Sequence, residues 1–216
     1  MSNIPKKRFR EFISAAKQVA DQKLVICGSG NLSWRIDKKR MLITAKGAWM
    51  SEMTENEIAV CRIADGVSLN KKEPSIETGL HSAIFKERGE VNVVLHFQSL
   101  YATTLACSEK SGRDFSIIPE IPYYIGSIGI IPYKNPGSDN LVKAVTTAIR
   151  RHNLLILKNH GQIATGGDFR EVIQRAAFFE LASGIILHAG SRVKALSEKA
   201  VEFLTHARRL NAPRGI

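Results

Sequence analysis

The sequence predicts an α/β fold in which a mixed, largely antiparallel sheet lies between helical layers. Three observations carry this. Short apolar, β-branched runs such as Val91–Leu95 and Leu154–Leu157 read as strands covered on both faces. Stretches with apolar residues at three- and four-residue spacing alternate with them and read as amphipathic helices. Turn signals such as Lys38–Arg40 and Asp65-Gly66 join neighbouring runs as hairpins, which argues against a doubly wound parallel sheet. At 216 residues the chain has room for one sizeable domain, 1–216, and is short for two joined by a linker.

Taken in order, Phe9 to Lys23 is a helix by the recurrence of Phe9, Phe12, Ile13, Ala16 and Val19. Leu24–Cys27 is a short apolar run before Gly28-Ser29-Gly30-Asn31-Leu32-Ser33. This glycine-rich turn is not a dinucleotide fingerprint, because Ser33 stands at its third glycine position and a strand rather than a helix follows. Its glycines can still bring backbone N–H groups close to an anion. Leu32–Asp37 and Met41–Ala45 form a hairpin, Thr54 to Glu57 has capping-box spacing, and Ile58–Ile63 is a strand. Ser75 is expected to cap a helix over Ile76–Lys86. After the strand Val91–Leu95 come a short helix over Ser99–Ala106, a loop from Ile117, and a strand over Ile128–Pro132. Helix Asn140–Arg151, strands Leu154–Leu157 and Gly161–Thr165, a long helix capped by Asp168 and a last helix over Val193–Arg209 complete the chain.

Composition excludes several functions. The net charge is +11, but the basic residues fall in short pairs such as Lys6-Lys7 and Arg150-Arg151 rather than in a stripe. Solvated faces and steering of a small anion explain them better than nucleic-acid binding does. No uninterrupted apolar run reaches the roughly 18 residues of a membrane span. The N-terminal stretch lacks the apolar core of a secretory leader. The three cysteines, Cys27, Cys61 and Cys107, match neither a disulfide framework nor a zinc knuckle, so a reducing, cytoplasmic setting is expected.

The chemistry gathers around Glu77, His96, Gln98 and His160. His96 and Gln98 are two apart, so on an extended segment they share a face, a spacing that suits two ligands of one metal ion. His160 ends a second apolar strand and precedes Gly161, whose missing side chain lets backbone crowd a bound group. A carboxylate at a helix start, Glu77, can serve as a general base beside the ion. On spacing alone, unrelated polar residues at strand ends explain the pattern equally well.

Five segments in this order resemble the class II aldolase/adducin family: Gly30-Asn31-Leu32-Ser33, Ile43-Thr44-Ala45-Lys46-Gly47, Glu73-Pro74-Ser75-Ile76-Glu77, the His96 strand end, and Asn159-His160-Gly161. The resemblance spans about Phe9 to Ala189, and Tyr123-Tyr124 through Pro136-Gly137 is similar to the sugar-acid branch of that family. It implies a three-layer αβα sandwich assembled as a fourfold homotetramer with active sites at subunit interfaces. It implies a divalent metal, usually zinc, on His96, His160 and the position of Gln98, with Glu77 as the acid/base residue. It implies a phosphate pocket from Gly30, Asn31, Gly47 and Ser75, with Lys46 where the family has a hydroxyl. The activity implied is metal-dependent aldolase-type cleavage of a small phosphorylated sugar or sugar acid through an enediolate. An epimerase, a keto-acid decarboxylase and a non-catalytic adducin-like module are the alternatives. Gln98 is a harder, weaker zinc ligand than imidazole, which brings manganese or magnesium into range.

Overall fold

The computed structural model of the protein describes residues 4–109 and 114–211; Met1–Asn3, part of the stretch read for a leader, lie outside them. Seven strands form one sheet: β1 (Asn31–Arg35), β2 (Arg40–Thr44), β3 (Ile58–Arg62), β4 (Val93–Phe97), β5 (Ile128–Ile131), β6 (Leu154–Leu157) and β7 (Gly161–Gly166). Their order is β3-β2-β1-β4-β7-β6-β5, and every pairing is antiparallel except β5 with β6. Six α-helices accompany them: α1 (Lys6–Asp21), α2 (Thr78–Glu87), α3 (Leu100–Ala106), α4 (Asp139–Ile149), α5 (Phe169–Ala189) and α6 (Glu198–Asn211).

The predicted sandwich follows from side-chain alternation along the strands. On one face Leu32, Leu42, Leu95, Phe97, Ile156 and Ala164 meet Phe12 of α1, Leu105 of α3 and Phe179 of α5. On the other, Ile43, Val94, Leu155 and Ile163 meet Leu80 and Ile84 of α2 and Val145 of α4. Helix starts are set by local chemistry. Asp168 accepts the Glu171 N–H at 2.8 Å, Ser138 accepts that of Leu141 at 3.2 Å, and Thr54 with Glu57 closes the expected capping box around a single 3₁₀ turn.

Four expectations need correction. The strand read as Val91–Leu95 is Val93–Phe97, because the Val91 N–H turns back to Arg88 while His96 and Phe97 pair in register with their neighbours. His96 is therefore the penultimate residue of a buried strand. Helix α2 begins at Thr78, not Ile76, and Ser75 precedes it without being its cap residue. The loop after Ile117 contains a π-helical turn, Ile121–Ile125, in which Tyr124 stacks on Phe178 of α5. The last helix begins five residues later than expected, since the Leu196 N–H donates to the Ser116 carbonyl and Ser197 accepts the Ala200 N–H.

Helix α5 combines membrane-like composition with a core position. Phe169–Arg192 is long and apolar enough to cross a membrane by length and composition, although Arg175 and Glu180 break any uninterrupted apolar run. Half of that window is buried, on the sheet that α5 covers. The three cysteines are free, as expected, with Cys61 buried and its thiol pushed up to about 11 by desolvation.

Candidate metal centre

The site forms where β1 and β4 lie side by side beneath the start of α2. Asn31 and Ser33 are two apart on β1, and Asn31 pairs with His96 of β4. All three point to the α2 face, opposite to the face lined by Leu32, Leu95 and Phe97. Glu77 takes the N-cap position of α2 but makes no capping bond with its side chain; its carboxylate reaches the sheet instead. Arg35 secures that helix from its other end. Its guanidinium donates to the carbonyls of Phe85 at 2.7 Å, Arg88 at 3.1 Å and Val91 at 2.9 Å.

Two close approaches depend on glycine. Gly30 has φ +72°, and a Cβ there would lie 2.6 Å from the His96 carbonyl oxygen. A Cβ on Gly161 would lie 2.7 Å from the Phe97 carbonyl oxygen and 3.0 Å from Cε1 of His96. The turn before it is made by Asn159 in a left-handed conformation, φ 55°. Asn159 is exposed, and its backbone N–H donates to Ala106.

The ligand atoms of Glu77, His96 and His160 all lie within 4.8 Å of one another. Nε2 of His96 is 3.4 Å from Oε2 of Glu77, and Nε2 of His160 is 3.5 Å from Oε1. Protonation states follow from the partners. Nδ1 of His96 faces the Gln162 carbonyl at 2.9 Å, and a carbonyl only accepts, so Nδ1 carries a proton and Nε2 is the nitrogen turned to Glu77. Oε1 of Glu77 and Nδ1 of His160 are buried without hydrogen-bond partners among the described residues. Three donor atoms thus converge at separations too long for direct hydrogen bonds. Each imidazole faces a different oxygen of Glu77, and one atom from each residue can be chosen so that all lie within 4.8 Å, wider than the roughly 3.3 Å edge of a tetrahedron built on bonds of about 2.0–2.1 Å, so a bound ion would draw them inward. The residues fit a divalent cation.

Burial alone would raise the Glu77 pKa. The neighbouring His96, the Asn31 N–H donor and His160 outweigh it and hold the carboxylate below its ordinary range. Burial lowers the His160 pKa, helped by His96 and opposed by Glu77. Both shifts leave the centre in its metal-accepting form near neutrality.

A cavity of about 270 Å³ opens above this cluster, lined by every site residue read from the sequence: Gly30, Asn31, Lys46, Gly47, Ser75, Glu77, His96, Gln98 and His160. Backbone pairing assembles its far end, because the Lys46 N–H donates to Glu73 and the Ser75 N–H to Thr44. Nζ of Lys46 is 2.7 Å from the Glu73 carboxylate on an exposed rim. Gln98 is half-buried beside Gly161, two residues from His96 as the spacing requires. The Asn31 carboxamide is engaged with Glu77 and His81, which leaves one N–H of Nδ2 for the cavity. Gly28, from the glycine-rich turn read as able to approach an anion, and Pro136, from the segment similar to the sugar-acid branch, also line it. His81 lies beside the site, and its i, i+4 spacing from Glu77 is the sequence signal for that place. Tyr123 and Tyr124 pack on each other in the π-helical turn, and Tyr124 also packs on α5.

Fold and site together define an α/β sandwich with a histidine–carboxylate cation cluster at one end of its sheet. Residues 10–187 match the family described as Class II Aldolase and Adducin N-terminal domain. The chain is 28% identical over 181 residues to 3-oxo-tetronate 4-phosphate decarboxylase of Haemophilus influenzae, covering 82% of this chain and 86% of that one. It is 31% identical over 159 residues to L-fuculose phosphate aldolase of Methanocaldococcus jannaschii, covering 74% of this chain and 84% of the relative. The solved structure of YgbL from Klebsiella pneumoniae superposes with a TM-score of 0.85 at 24% identity, over 94% of this chain and all of its own. An L-fuculose 1-phosphate aldolase structure does so with 0.85 at 22% identity, over 95% of this chain and 98% of its own. The chain belongs to the class II aldolase and adducin family.

Proposed function

We propose that the protein is a divalent-metal-dependent lyase that breaks a carbon–carbon bond in a small phosphorylated sugar or sugar acid. The observation that carries this is the convergence of Glu77, His96 and His160 at the floor of a cavity whose far end carries a lysine and a hydroxyl. His96, His160 and Glu77, with Gln98 beside them, would hold zinc, manganese or magnesium. Such an ion, when bound, neutralises negative charge that grows on substrate oxygens as the bond breaks.

The chain's own residues supply the rest. Lys46, Ser75 and the backbone around Gly47 are placed to anchor the phosphate, and the exposed Lys46–Glu73 pair is weak enough to be exchanged for it. That anchor sets the reacting carbons toward Glu77. Glu77, ionised and with a buried unpartnered oxygen, takes or returns the proton. Loss of carbon dioxide from an oxo-acid phosphate is the second reading. It is favoured by the likeness to the Haemophilus enzyme, and of the acid–base groups it asks only for Glu77.

We further propose a homotetramer with sites at subunit interfaces. Ile76, 63% exposed in the cavity wall, and Trp49, 46% exposed beside Gly28, support a partner covering the cavity mouth. Light scattering tests the assembly. For the activity, metal-loaded protein is assayed against phosphorylated ketoses for aldehyde release and against oxo-acid phosphates for carbon dioxide release, with Glu77→Gln as control. Turnover on one panel that disappears in the control is expected. Inactivity on both, with cation bound, would overturn the reading.

A further inference from the structure

We propose that His81 is a positioning residue, which fixes the direction of the Glu77 carboxylate through the side chain of Asn31. The chain of contacts runs inward from Ser33. Its Oγ lies 2.6 Å from Nδ1 of His81, Nε2 of His81 contacts Oδ1 of Asn31, and Nδ2 of Asn31 donates to Oε2 of Glu77 at 3.0 Å. Ser33 and His81 are fully buried and Asn31 is 5% exposed, so water does not substitute for any link.

One proton arrangement satisfies every link. The ionised Glu77 only accepts, so Asn31 presents its NH₂ to the carboxylate and its Oδ1 to His81. His81 must then donate from Nε2. Burial keeps it neutral, with Glu77 pulling the other way, and Nδ1 is left to accept from the Ser33 hydroxyl. His81 thereby prevents the Asn31 amide from turning over and placing an oxygen against the carboxylate. Oε2 of Glu77 is held on Asn31, while Oε1, which has no partner, faces His160 and the cavity. Without His81 the Asn31 amide has two orientations, only one of which presents Glu77 correctly.

The inference rests on the lyase reading for its kinetic consequence alone; its structural consequence is independent. The experiment uses metal-free, histidine-¹⁵N-labelled full-length protein and the variants His81→Leu, His81→Gln and Ser33→Ala. Nitrogen–proton correlation spectra near neutral pH should show His81 neutral with the proton on Nε2. A His81 protonated on Nδ1, or on both nitrogens, would overturn the proposal.

Cobalt(II) titration and kinetics on the proposed substrates form the second arm. His81→Leu should lower cobalt affinity and kcat by roughly 10- to 100-fold with KM little changed, the range seen when outer supports of metal ligands are removed. His81→Gln, whose amide can donate near the Nε2 position, should recover most of that loss. Equal behaviour of Leu and Gln, or wild-type cobalt affinity in the Leu variant, would overturn it. If His81→Leu does not fold, Ser33→Ala, which only removes the donor to Nδ1, must still weaken cobalt binding. If the wild type turns over neither substrate panel, the lyase reading fails while the spectra and the cobalt arm still decide the role of His81.

Discussion

Replacing Gly161 by alanine tests how the cation cluster is built. The new Cβ would lie 2.7 Å from the Phe97 carbonyl oxygen, 2.8 Å from Cγ of Gln98 and 3.0 Å from Cε1 of His96. Ordinary contacts between such atoms are about 3.5–4.0 Å, so all three neighbours must yield by several tenths of an ångström or more. Main-chain oxygen on a fully paired central strand cannot move cheaply, and the His96 ring is held by Gln162. Overpacking of this kind costs roughly 1–3 kcal/mol. Gly161 does not have a positive φ, so loss of unfolded-state freedom returns about 0.4–1 kcal/mol of it. A net loss of about 1–2 kcal/mol lowers Tm by roughly 2–8 °C in a chain of this size.

The effect on the cation should be larger in proportion. Cε1 adjoins the Nε2 that faces Glu77 at 3.4 Å, and displacing it spoils one ligand outright. Cobalt(II) affinity should fall about tenfold or more. Gly89 is the control, because it is exposed and a Cβ there would meet nothing within 4 Å; its alanine variant should match or slightly exceed wild-type stability. Thermal melts and cobalt titrations on both variants check this. Unchanged Tm together with unchanged cobalt affinity in Gly161→Ala would refute the packing described around His96.

Other perturbations have defined outcomes. Below about pH 6.5 the unfolded chain protonates the residue that is His81, whereas burial holds its folded pKa down at about 3. The unfolded state therefore binds more protons, and stability should fall on acidification by up to about 1.4 kcal/mol per pH unit, with His160 shifted in the same direction. Glu77, depressed in the fold, adds a loss only at lower pH, below its ordinary range. Urea unfolding between about pH 7 and 5 should show this slope and its reduction in His81→Leu; equal slopes would contradict it. Arg175→Met should destabilise by roughly 1–3 kcal/mol, measured by urea unfolding, because the buried guanidinium serves the Tyr124 and Thr165 carbonyls, while its partner Glu171 is part-exposed. Gln98→His should raise zinc affinity relative to manganese in competitive titration, since imidazole is the softer ligand.

The layers and most strands were legible in the sequence because apolar alternation records which face each residue buries. Leu154–Leu157 and the hairpin around Lys38–Arg40 are examples. The end of β4 lies two residues beyond the one expected for a physical reason: a polar residue ordinarily marks a strand's end, but His96 is buried and paired, with Glu77, Asn31 and Gln162 meeting it from distant parts of the chain. The cavity residues were legible one by one, their convergence only through the resemblance. The Ser33–His81–Asn31 contacts were not, since each link joins residues separated by 48 or 50 positions. Arg35 and Arg175 both serve carbonyls in the packed interior, and nothing in the local sequence separates them from surface charges.

The central claim is that Glu77, His96 and His160 hold one divalent cation, and calorimetric titration of stripped protein with zinc, cobalt and manganese tests it most directly. The account predicts one equivalent bound per chain, lost in His96→Ala and in His160→Ala while both variants keep their fold by circular dichroism. Failure of all three ions to bind, or binding that survives both substitutions, would contradict it.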